Sequence, residues 1–408
     1  MASARCYKTV RIIFTLVVLI ASSISSAFSM PNDILDSSDN HLLRNQTIHL
    51  SQRVQKSKRI RRYLRRINKL AIKTIESPDG DLIDCVPSHL QPAFDHPLLK
   101  GLKPLLSTVT PPIFGQRPTN HGWRKSIQLW TDSGESCPDG TVPIRRTTMK
   151  DVLRAGSLHK FGRKSFSKQN TKISSNDQLR PVGDVTGDCY SGARLYIHVW
   201  KANETDQYDF RLSQVWMASG NSTSNDLNTV EAGWQVNPKL FGDNSPRYFT
   251  YWTADSYETT GCYNLLCSGF VQTNNRISLG AAISPRFSQN GRELDIRIPM
   301  IIAKDAKHGH WWLEIGPGIV VGYWPSLLFS RLHSHANMVQ FGGIMVKARS
   351  MGLNAPAQIT AGDISVGGVG KATNTQDLGA AEALDKLVPL CSVGIFARQH
   401  FAVSNMVE

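Results

Sequence analysis

The second half of the sequence is a succession of short segments in which apolar and polar residues alternate, and this pattern most constrains the fold. In Ala193–Lys201, for example, every second residue is aliphatic, as in a strand with one face in a core. Gly, Asn and Pro separate the segments at short intervals. Such a chain is expected to be all-β, as an antiparallel sandwich or a closed barrel. The predicted strands are 193–201, 210–219, 229–236, 247–255, 269–272, 276–284, 293–304, 310–316, 318–324 and 337–347.

One long helix is predicted ahead of the strands, over Asn40–Ile75. Apolar residues recur there at helical spacing, namely Ile60, Leu64, Ile67, Ala71 and Ile75. The rest of its surface is basic, which indicates a solvated face or a processing site, with a membrane or polyanion patch as the alternative.

Charge is unevenly distributed along the chain. Residues 30–172 have 25 Lys and Arg against 12 Asp and Glu, whereas the chain from residue 173 onward has 18 against 20. This asymmetry argues against a nucleic-acid-binding core and favours a detachable basic segment on a near-neutral body.

The first 29 residues have the features of a secretory signal. Three basic residues precede the apolar run Ile12–Ala21, which is too short to span a bilayer, and small residues lead to an expected cleavage near Ser29. We therefore expect a secreted protein without a membrane anchor, located in the extracellular space, the cell wall or the vacuole. Export also favours disulfides among the six remaining cysteines. Three sequons, at Asn45, Asn203 and Asn221, are candidate glycosylation sites.

A domain boundary is predicted in Gly162–Ser175, which is basic, rich in Ser and Lys, and without apolar periodicity. It would separate a pro-segment, residues 30–172, from a β domain, residues 173–408, and would be exposed to proteases. Smaller elements are also expected: a strand at Ser126–Trp130, a strand after the turn at Pro138–Gly140, a helix at Met149–Ala155 and a helix at Gln376–Leu387.

Several common catalytic sites are excluded because their motifs are missing. The sequence has no G-x-S-x-G and no H-E-x-x-H motif, and Gly367–Thr373 lacks the first glycine and the Ser or Thr of a phosphate loop. The pairs His308/His310 and His333/His335 could each begin a zinc site, since residues i and i+2 share a strand face, but no third ligand stands out. We expect neither a metal nor a cofactor.

Glu231 is an acid set into an apolar strand. In strand phase Glu231, Gly233 and Gln235 face one way, and the apolar residues between them face the core. A buried carboxylate must be paired, neutralised or used in chemistry. We interpret Gly233 as leaving room for another group to approach the backbone. The structural alternative is a glutamate paired with an arginine.

The sequence around Glu231 resembles the neprosin family of plant secreted proteins. The resemblance rests on NTVEAGWQV at 228–236, FTYWTADSYETTGCYNLLCSGFVQ at 249–272, HWWLEIG at 310–316, VGYWPSLLF at 321–329 and VQFGG at 339–343. An upstream part resembles the activation peptide of that family, through KTIESPDGDLIDCV at 73–86, QPAFDHPLL at 91–99, CPDGTVPIRRT at 137–147 and DVLRA at 151–155.

The resemblance implies a latent glutamic endopeptidase that cleaves proteins and peptides beside proline in acid. It implies a sandwich of two antiparallel sheets with two glutamates across a cleft, one of which corresponds to Glu231. It also implies a Cys262–Cys267 bridge and a Cys85–Cys137 bridge. The partners it implies are Pro-rich substrates and the pro-segment as an internal inhibitor, with no nucleic acid and no membrane. Cys189 and Cys391 could pair with each other or remain thiols.

The sequence departs from the family pattern at the second acid. Where the family has a W-G-G-E motif, this chain has Phe341-Gly342-Gly343-Ile344, and isoleucine cannot transfer a proton. Three side chains could compensate by polarising the substrate carbonyl or binding substrate: Gln235, Gln340 and Tyr251. Glu314 could replace the missing acid. Two hypotheses follow: an acid endopeptidase that uses Glu231, or an inactive sandwich that binds peptide or cell-wall glycan in the same cleft.

Overall fold

The computed structural model describes residues 37–105, 127–164, 178–179, 182–200, 210–284, 295–316 and 318–346. The helices are α1 Ser37–Ile67, α2 Met149–Arg154 and α3 Pro238–Phe241. The strands are β1 Lys73–Glu76, β2 Leu82–Pro87, β3 Thr141–Arg145, β4 Gln178–Leu179, β5 Val182–Tyr190, β6 Gly192–Trp200, β7 Phe210–Ser219, β8 Asn228–Val236, β9 Arg247–Thr253, β10 Val271–Gln272, β11 Asp295–Lys304, β12 Trp311–Ile315, β13 Val320–Trp324 and β14 Ala336–Val346.

The described chain divides into two compact units, and the division falls within α1, after Arg59. The first unit contributes the N-terminal part of α1, whose residues from Ser51 to Arg59 are solvent-exposed. The second unit contains every sheet. Among the described residues, none of the helices has the length and apolarity to cross a membrane.

Two antiparallel sheets form the main body of the second unit. The six-stranded sheet has the order β4-β14-β7-β8-β9, with β5 also paired to β14, and the five-stranded sheet has the order β10-β13-β12-β11-β6. A third sheet, β1-β2-β3, is built from the upstream segment. The prediction of an all-β antiparallel sandwich, preceded by a segment with one long helix, is confirmed.

The sandwich core lies between the two large sheets. Strand β8 contributes Val230, Ala232, Trp234 and Val236 to it, and all four are buried, as strand phase predicts. The five-stranded sheet contributes Ile302, Leu313 and other apolar residues. Burial of an aliphatic side chain of this size stabilises the fold by about 1.5–3 kcal/mol. The alternation along β8 therefore fixes which face of the strand carries Glu231.

Helix α1 ends earlier than the apolar spacing predicts. It stops at Ile67, and Ile75 is instead a buried residue of β1. The cause is the next residue, Asn68, whose side chain donates to the carbonyl oxygen of Thr147 at 2.8 Å and accepts from its N–H at 3.0 Å. An asparagine that pairs with a distant backbone competes with helical continuation.

Two other predictions of local structure are wrong, and two strands were not predicted. Residues 276–284 form turns, with isolated bridges at Ile283 and Ala282 instead of a strand, and 129–131 is a 3₁₀ helix next to a bridge at Gln128. Strands β4 and β5 have no counterpart in the prediction, because the Gly- and Asp-rich sequence of β5 lacks apolar alternation. The predicted signal, Asn203, Cys391, the 367–373 run and the 376–387 helix lie outside the described residues.

Candidate active site

The candidate site lies on the outer face of the six-stranded sheet. The register aligns Glu231 on β8 with Trp216 on β7 and Tyr251 on β9, and Trp216 in turn with Gln340 on β14. Since Val230 and Ala232 enter the core, these positions face away from it. The next two rows on the same face are Gly342–Gln214–Gly233–Phe249 and Ile344–Leu212–Gln235–Arg247.

The upstream segment covers this face. A second apolar cluster joins Ile60, Val152 and Phe161 of that segment to sheet residues that include Trp216 and Tyr251. As a result Glu231 is 0% exposed, although it lies on the side of the sheet opposite the core. The site is therefore closed by residues that precede the sandwich in the chain.

The carboxylate of Glu231 accepts hydrogen bonds from three side chains. Thr229 Oγ1 donates to Oε1 at 2.9 Å and Tyr257 OH donates to the same oxygen at 2.7 Å. Lys164 Nζ donates to Oε2 and forms an ion pair with it. Glu231 is therefore paired, as the structural alternative expected, but its partner is a lysine from the upstream segment instead of an arginine.

The ammonium of Lys164 lies in an aromatic cage. Four ring centroids surround Nζ, those of Tyr251 at 4.9 Å, Phe249 at 5.7 Å, Tyr263 at 5.7 Å and Trp216 at 5.8 Å. Nζ also donates to Gln214 Oε1 at 3.3 Å, and the backbone N–H of Lys164 donates to Tyr251 OH at 3.2 Å. Cation–π attraction, an ion pair and a hydrogen bond to a neutral amide oxygen therefore hold this one ammonium group.

Burial shifts the pKa values of the groups in the cage. Desolvation lowers the pKa of Lys164, and the negative charge of Glu231 opposes that effect. Burial also raises the pKa values of Tyr251, Tyr257 and Tyr263, with the charge of Glu231 adding to the effect. These phenols stay protonated, so Tyr257 can donate to Glu231 across the ordinary pH range.

The backbone before Lys164 is fixed by the loop that carries Tyr263. The N–H of Tyr263 donates to the carbonyl oxygen of Gly162 at 2.8 Å. Gly162 has a φ of +71°, and a Cβ at this position would lie 2.9 Å from Leu266 Cδ1, so glycine is required. Tyr63 OH donates to the carbonyl oxygen of Leu266 at 3.0 Å from the other side.

The prediction of an exposed boundary at Gly162–Ser175 is wrong at its N-terminal end. The side chain of Lys164 is 8% exposed and is part of the closed site, because the aromatic cage surrounds its ammonium. Residues 165–177 lie outside the described residues. The basic segment that was predicted to be a linker therefore includes Lys164, the residue that seals Glu231.

Gln214 is a site residue that the sequence analysis missed. Its Oε1 and the carboxylate of Glu231 converge on Lys164 Nζ, and its side chain is fully buried. Its Nε2 is buried without a hydrogen-bond partner among the described residues. The alternation in Phe210–Ser219 places Gln214 on the outer face beside Trp216, so strand phase contained a signal for it.

Position 344 is in the same sheet as Glu231 but not next to it. Ile344 pairs with Leu212, and Leu212 pairs with Gln235, four residues along β8 from Glu231. With the usual strand geometry this separates the two backbone positions by about 13 Å along the strands and about 10 Å across them.

The other predicted side chains lie at different distances from Glu231. Gln235 is buried four residues further along β8, and its Oε1 accepts from Asn237 at 3.2 Å. Gln340 is half-buried in the same row as Glu231 but two strands away. Glu314 belongs to β12 of the five-stranded sheet and accepts from the N–H of Gly318 at 2.8 Å. Of the predicted compensating residues, the structure brings Tyr251 into contact with the lysine that seals Glu231.

The space at Gly233 is occupied by the protein itself. A Cβ at this position would lie 2.0 Å from the carbonyl oxygen of Ser213 and 2.7 Å from the Cα of Gln214. The close approach to the backbone that this glycine allows is therefore made by the neighbouring strand β7.

Both implied disulfides are present. Cys262–Cys267 closes the loop that carries Tyr263, and Cys85–Cys137 joins β2 to the segment before β3. Cys189 is buried on β5.

Buried Arg247 links the upstream segment to the sandwich. Its guanidinium forms ion pairs with Asp79 and Asp81 before β2 and with Asp243 after α3. Burial disfavours the ionised carboxylate of Asp81, but hydrogen bonds from Arg145 and Arg247 and their positive charges outweigh it, so its pKa is lowered. These ion pairs hold the segment on the same face that Lys164 seals.

The remaining candidate sites are separate from Glu231. Asn221 lies in an exposed loop, and Asn45 lies on α1. His308 and His310 are adjacent to Asp305, and His310 stacks on Tyr323 with ring centroids 5.0 Å apart. Within the described ranges, no group of three or more His, Cys, Asp or Glu residues is arranged to hold a metal ion.

Fold and site together define a β-sandwich with a buried acid that an upstream segment of the same chain covers. The chain belongs to the neprosin family: the neprosin family model matches residues 207–393 and the neprosin activation peptide model matches residues 74–188, together well over half of the chain. Lys164 lies in the activation peptide match, and Glu231 lies in the neprosin match.

Solved structures similar to this chain share little sequence with it. Scytalido-glutamic peptidase with a transition state analog inhibitor is 10% identical, with a TM-score of 0.24, and the match covers 42% of this chain and 65% of that chain, slightly under two thirds. LamAcat from Zobellia galactanivorans is 9% identical, with a TM-score of 0.22, and the match covers 43% of this chain and 61% of that chain.

Proposed function

We propose that this protein is the secreted zymogen of a glutamic-type endopeptidase that hydrolyses peptide bonds next to proline in acid. The observation that carries the proposal is the ion pair between Lys164 of the activation peptide and Glu231 of the sandwich. A side chain that neutralises a buried acid and fills the space around it blocks both water and substrate. Removal of the segment would expose Glu231 together with Gln214.

The chemistry proposed for the opened site uses one acid and one amide. Glu231 takes a proton from a water molecule, whose oxygen attacks the substrate carbonyl carbon. Gln214 Nε2, which is without a partner in the closed site, donates to the developing oxyanion. When the C–N bond breaks, Glu231 returns the proton to the leaving nitrogen, so the atoms and charges balance. This arrangement supplies a polarising group in place of the family's second acid.

Acid would release the segment through the same ion pairs that hold it. One of them joins Arg247 of the sandwich to Asp81 of the segment. Asp81 has a lowered pKa, so its contribution to stability is present above the ordinary Asp range and is lost as the pH falls through its folded-state pKa. Loss of this contribution weakens the closed state in acid, which supports an activation step at low pH.

Peptide hydrolysis tests this proposal directly. The full chain is acidified, processed and incubated with a Pro-containing peptide and its Pro→Ala counterpart. We expect cleavage beside proline, loss of cleavage by at least about 100-fold in Glu231→Gln, and a loss of about 100-fold in Gln214→Leu. Ile344→Glu is assayed in parallel.

Two results would overturn the proposal. Cleavage only in Ile344→Glu, with none in the native protein, identifies a decayed site. Absence of cleavage in all variants, with the peptide still bound, supports the binding-protein alternative. That alternative is favoured by one observation, namely that the position of the second acid is isoleucine.

A further inference from the structure

Lys164 shows which chemical group the site accepts. Its ammonium is enclosed by four aromatic rings and two side-chain oxygens, those of Glu231 and Gln214. A general base needs a carboxylate and access to water, but not four ring faces around one point. Ring faces attract cations, and a carboxylate among them adds an ion pair, so this set selects a positively charged amine over neutral and negative groups.

Every wall of the cage belongs to the sandwich. Trp216 and Gln214 lie on β7, Glu231 on β8, Phe249 and Tyr251 on β9, and Tyr263 in the Cys262–Cys267 loop. The cage therefore stays with the sandwich when the activation peptide leaves, and only its occupant is lost.

Contacts among the walls keep the cage in shape without its occupant. Tyr263 packs edge-on against Tyr251 and Phe249, with centroids 4.9 and 5.6 Å apart, and the disulfide closes its loop. Tyr257 OH and Thr229 Oγ1 hold Glu231 from the side away from Lys164. A carboxylate with two fixed donors and an aromatic surround is preorganised for a cation.

We propose that this cage is a recognition site for primary alkylammonium groups, which after processing takes a lysine side chain of a peptide ligand in the place that Lys164 occupies in the zymogen. The proposal rests on the proposed function in that the activation peptide must leave. Because the incoming ammonium pairs with Glu231, a lysine in this cage occupies the proposed base. Such a ligand binds and competes with hydrolysis instead of being cleaved there.

The test removes the occupant of the cage, the Lys164 side chain, from the intact zymogen. In Lys164→Ala the activation peptide keeps its other contacts, including those of Arg247, and the cage loses only the amine and its stem. The thermal midpoint of this variant is measured against n-propylammonium chloride, which replaces the deleted atoms, and against 1-propanol at the same concentration. We expect the thermal midpoint of Lys164→Ala to rise saturably with the amine, and the alcohol to bind at least ten times more weakly. The thermal midpoint of wild type should not rise with the amine.

Two further variants separate recognition from general stabilisation. Lys164→Met keeps the stem in the cage and should not respond to the amine. Arg163→Ala, which removes the neighbouring basic residue outside the cage, should behave like wild type. Lys164→Ala combined with Glu231→Gln should lose at least ten-fold in affinity.

Equal responses to amine and alcohol, or an equal response to the amine in Lys164→Ala and Lys164→Met, would overturn the proposal. Absence of binding in Lys164→Ala would overturn it as well. The result does not depend on turnover, so amine binding without peptide hydrolysis rejects the proposed function alone, and hydrolysis without amine binding rejects this inference alone.

Discussion

The contact between Lys164 and Glu231 makes a quantitative prediction about stability. The two side chains are 8% and 0% exposed, so removing either charge leaves the other buried without its counter-ion. Breaking a buried ion pair from one side typically costs about 3–5 kcal/mol. Lys164→Met keeps most of the stem, and Glu231→Gln keeps the shape of the side chain, so packing losses are small. We expect each single variant to lower the free energy of unfolding by about 3 kcal/mol.

The double variant distinguishes an ion pair from two independent losses. Lys164→Met with Glu231→Gln leaves no buried charge at the site, so its free energy of unfolding should return to within about 1–2 kcal/mol of wild type. The assay is urea unfolding of the full-length chain, followed by circular dichroism and by tryptophan fluorescence. Lys160→Met, in the same segment but exposed, is the control and should change stability by less than about 0.5 kcal/mol.

Additivity would refute this reasoning. If the double variant loses the sum of the two single losses within about 0.5 kcal/mol, then Lys164 and Glu231 do not stabilise each other in the folded protein.

Three more predictions follow from the same geometry. The ionised carboxylate of Asp81 stabilises the closed state, as its lowered pKa shows, and Asp81→Asn removes that contribution at every pH. The segment should therefore be released at a higher pH than in wild type, as measured by limited proteolysis across a pH series. An unchanged release profile would contradict this. Gly233→Ala should destabilise the chain by about 3 kcal/mol in thermal unfolding, because its Cβ would overlap the carbonyl oxygen of Ser213, and a neutral effect would show that β7 can move away. Cys262→Ser with Cys267→Ser opens a short loop and should lower the free energy of unfolding by about 2 kcal/mol. Added to Lys164→Ala, the same two changes should weaken amine binding. Unchanged amine binding would show that Tyr263 is held by packing alone.

The sequence predicted the sandwich because its strands alternate. In β8 the apolar residues on one side of the chain fix the buried face, and Glu231 then has to lie on the other. β5 was not predicted, because its Gly and Asp residues carry no alternation and its pairing with β14 depends on the tertiary fold. The end of α1 was also missed, since the competing partner of Asn68 lies at Thr147, far along the chain.

The site was predicted in part for the same reason. Glu231 stands out because it is an acid in an otherwise apolar strand, and Tyr251 because it lies in a strand rich in aromatic residues. Lys164 is one of several basic residues in a Ser- and Lys-rich run, and nothing in that run distinguishes the lysine that becomes buried. Its role comes from a contact across 67 positions in the chain, which neither composition nor periodicity encodes.

The most direct test of whether Lys164 closes a catalytic site at Glu231 is the rate of peptide hydrolysis before and after removal of the activation peptide. We expect that the intact zymogen does not hydrolyse the peptide, that the processed protein cleaves a Pro-containing peptide in acid, and that processed Glu231→Gln does not. Full activity in the unprocessed chain would contradict closure of the site by Lys164, and equal rates in processed wild type and Glu231→Gln would contradict the role of Glu231.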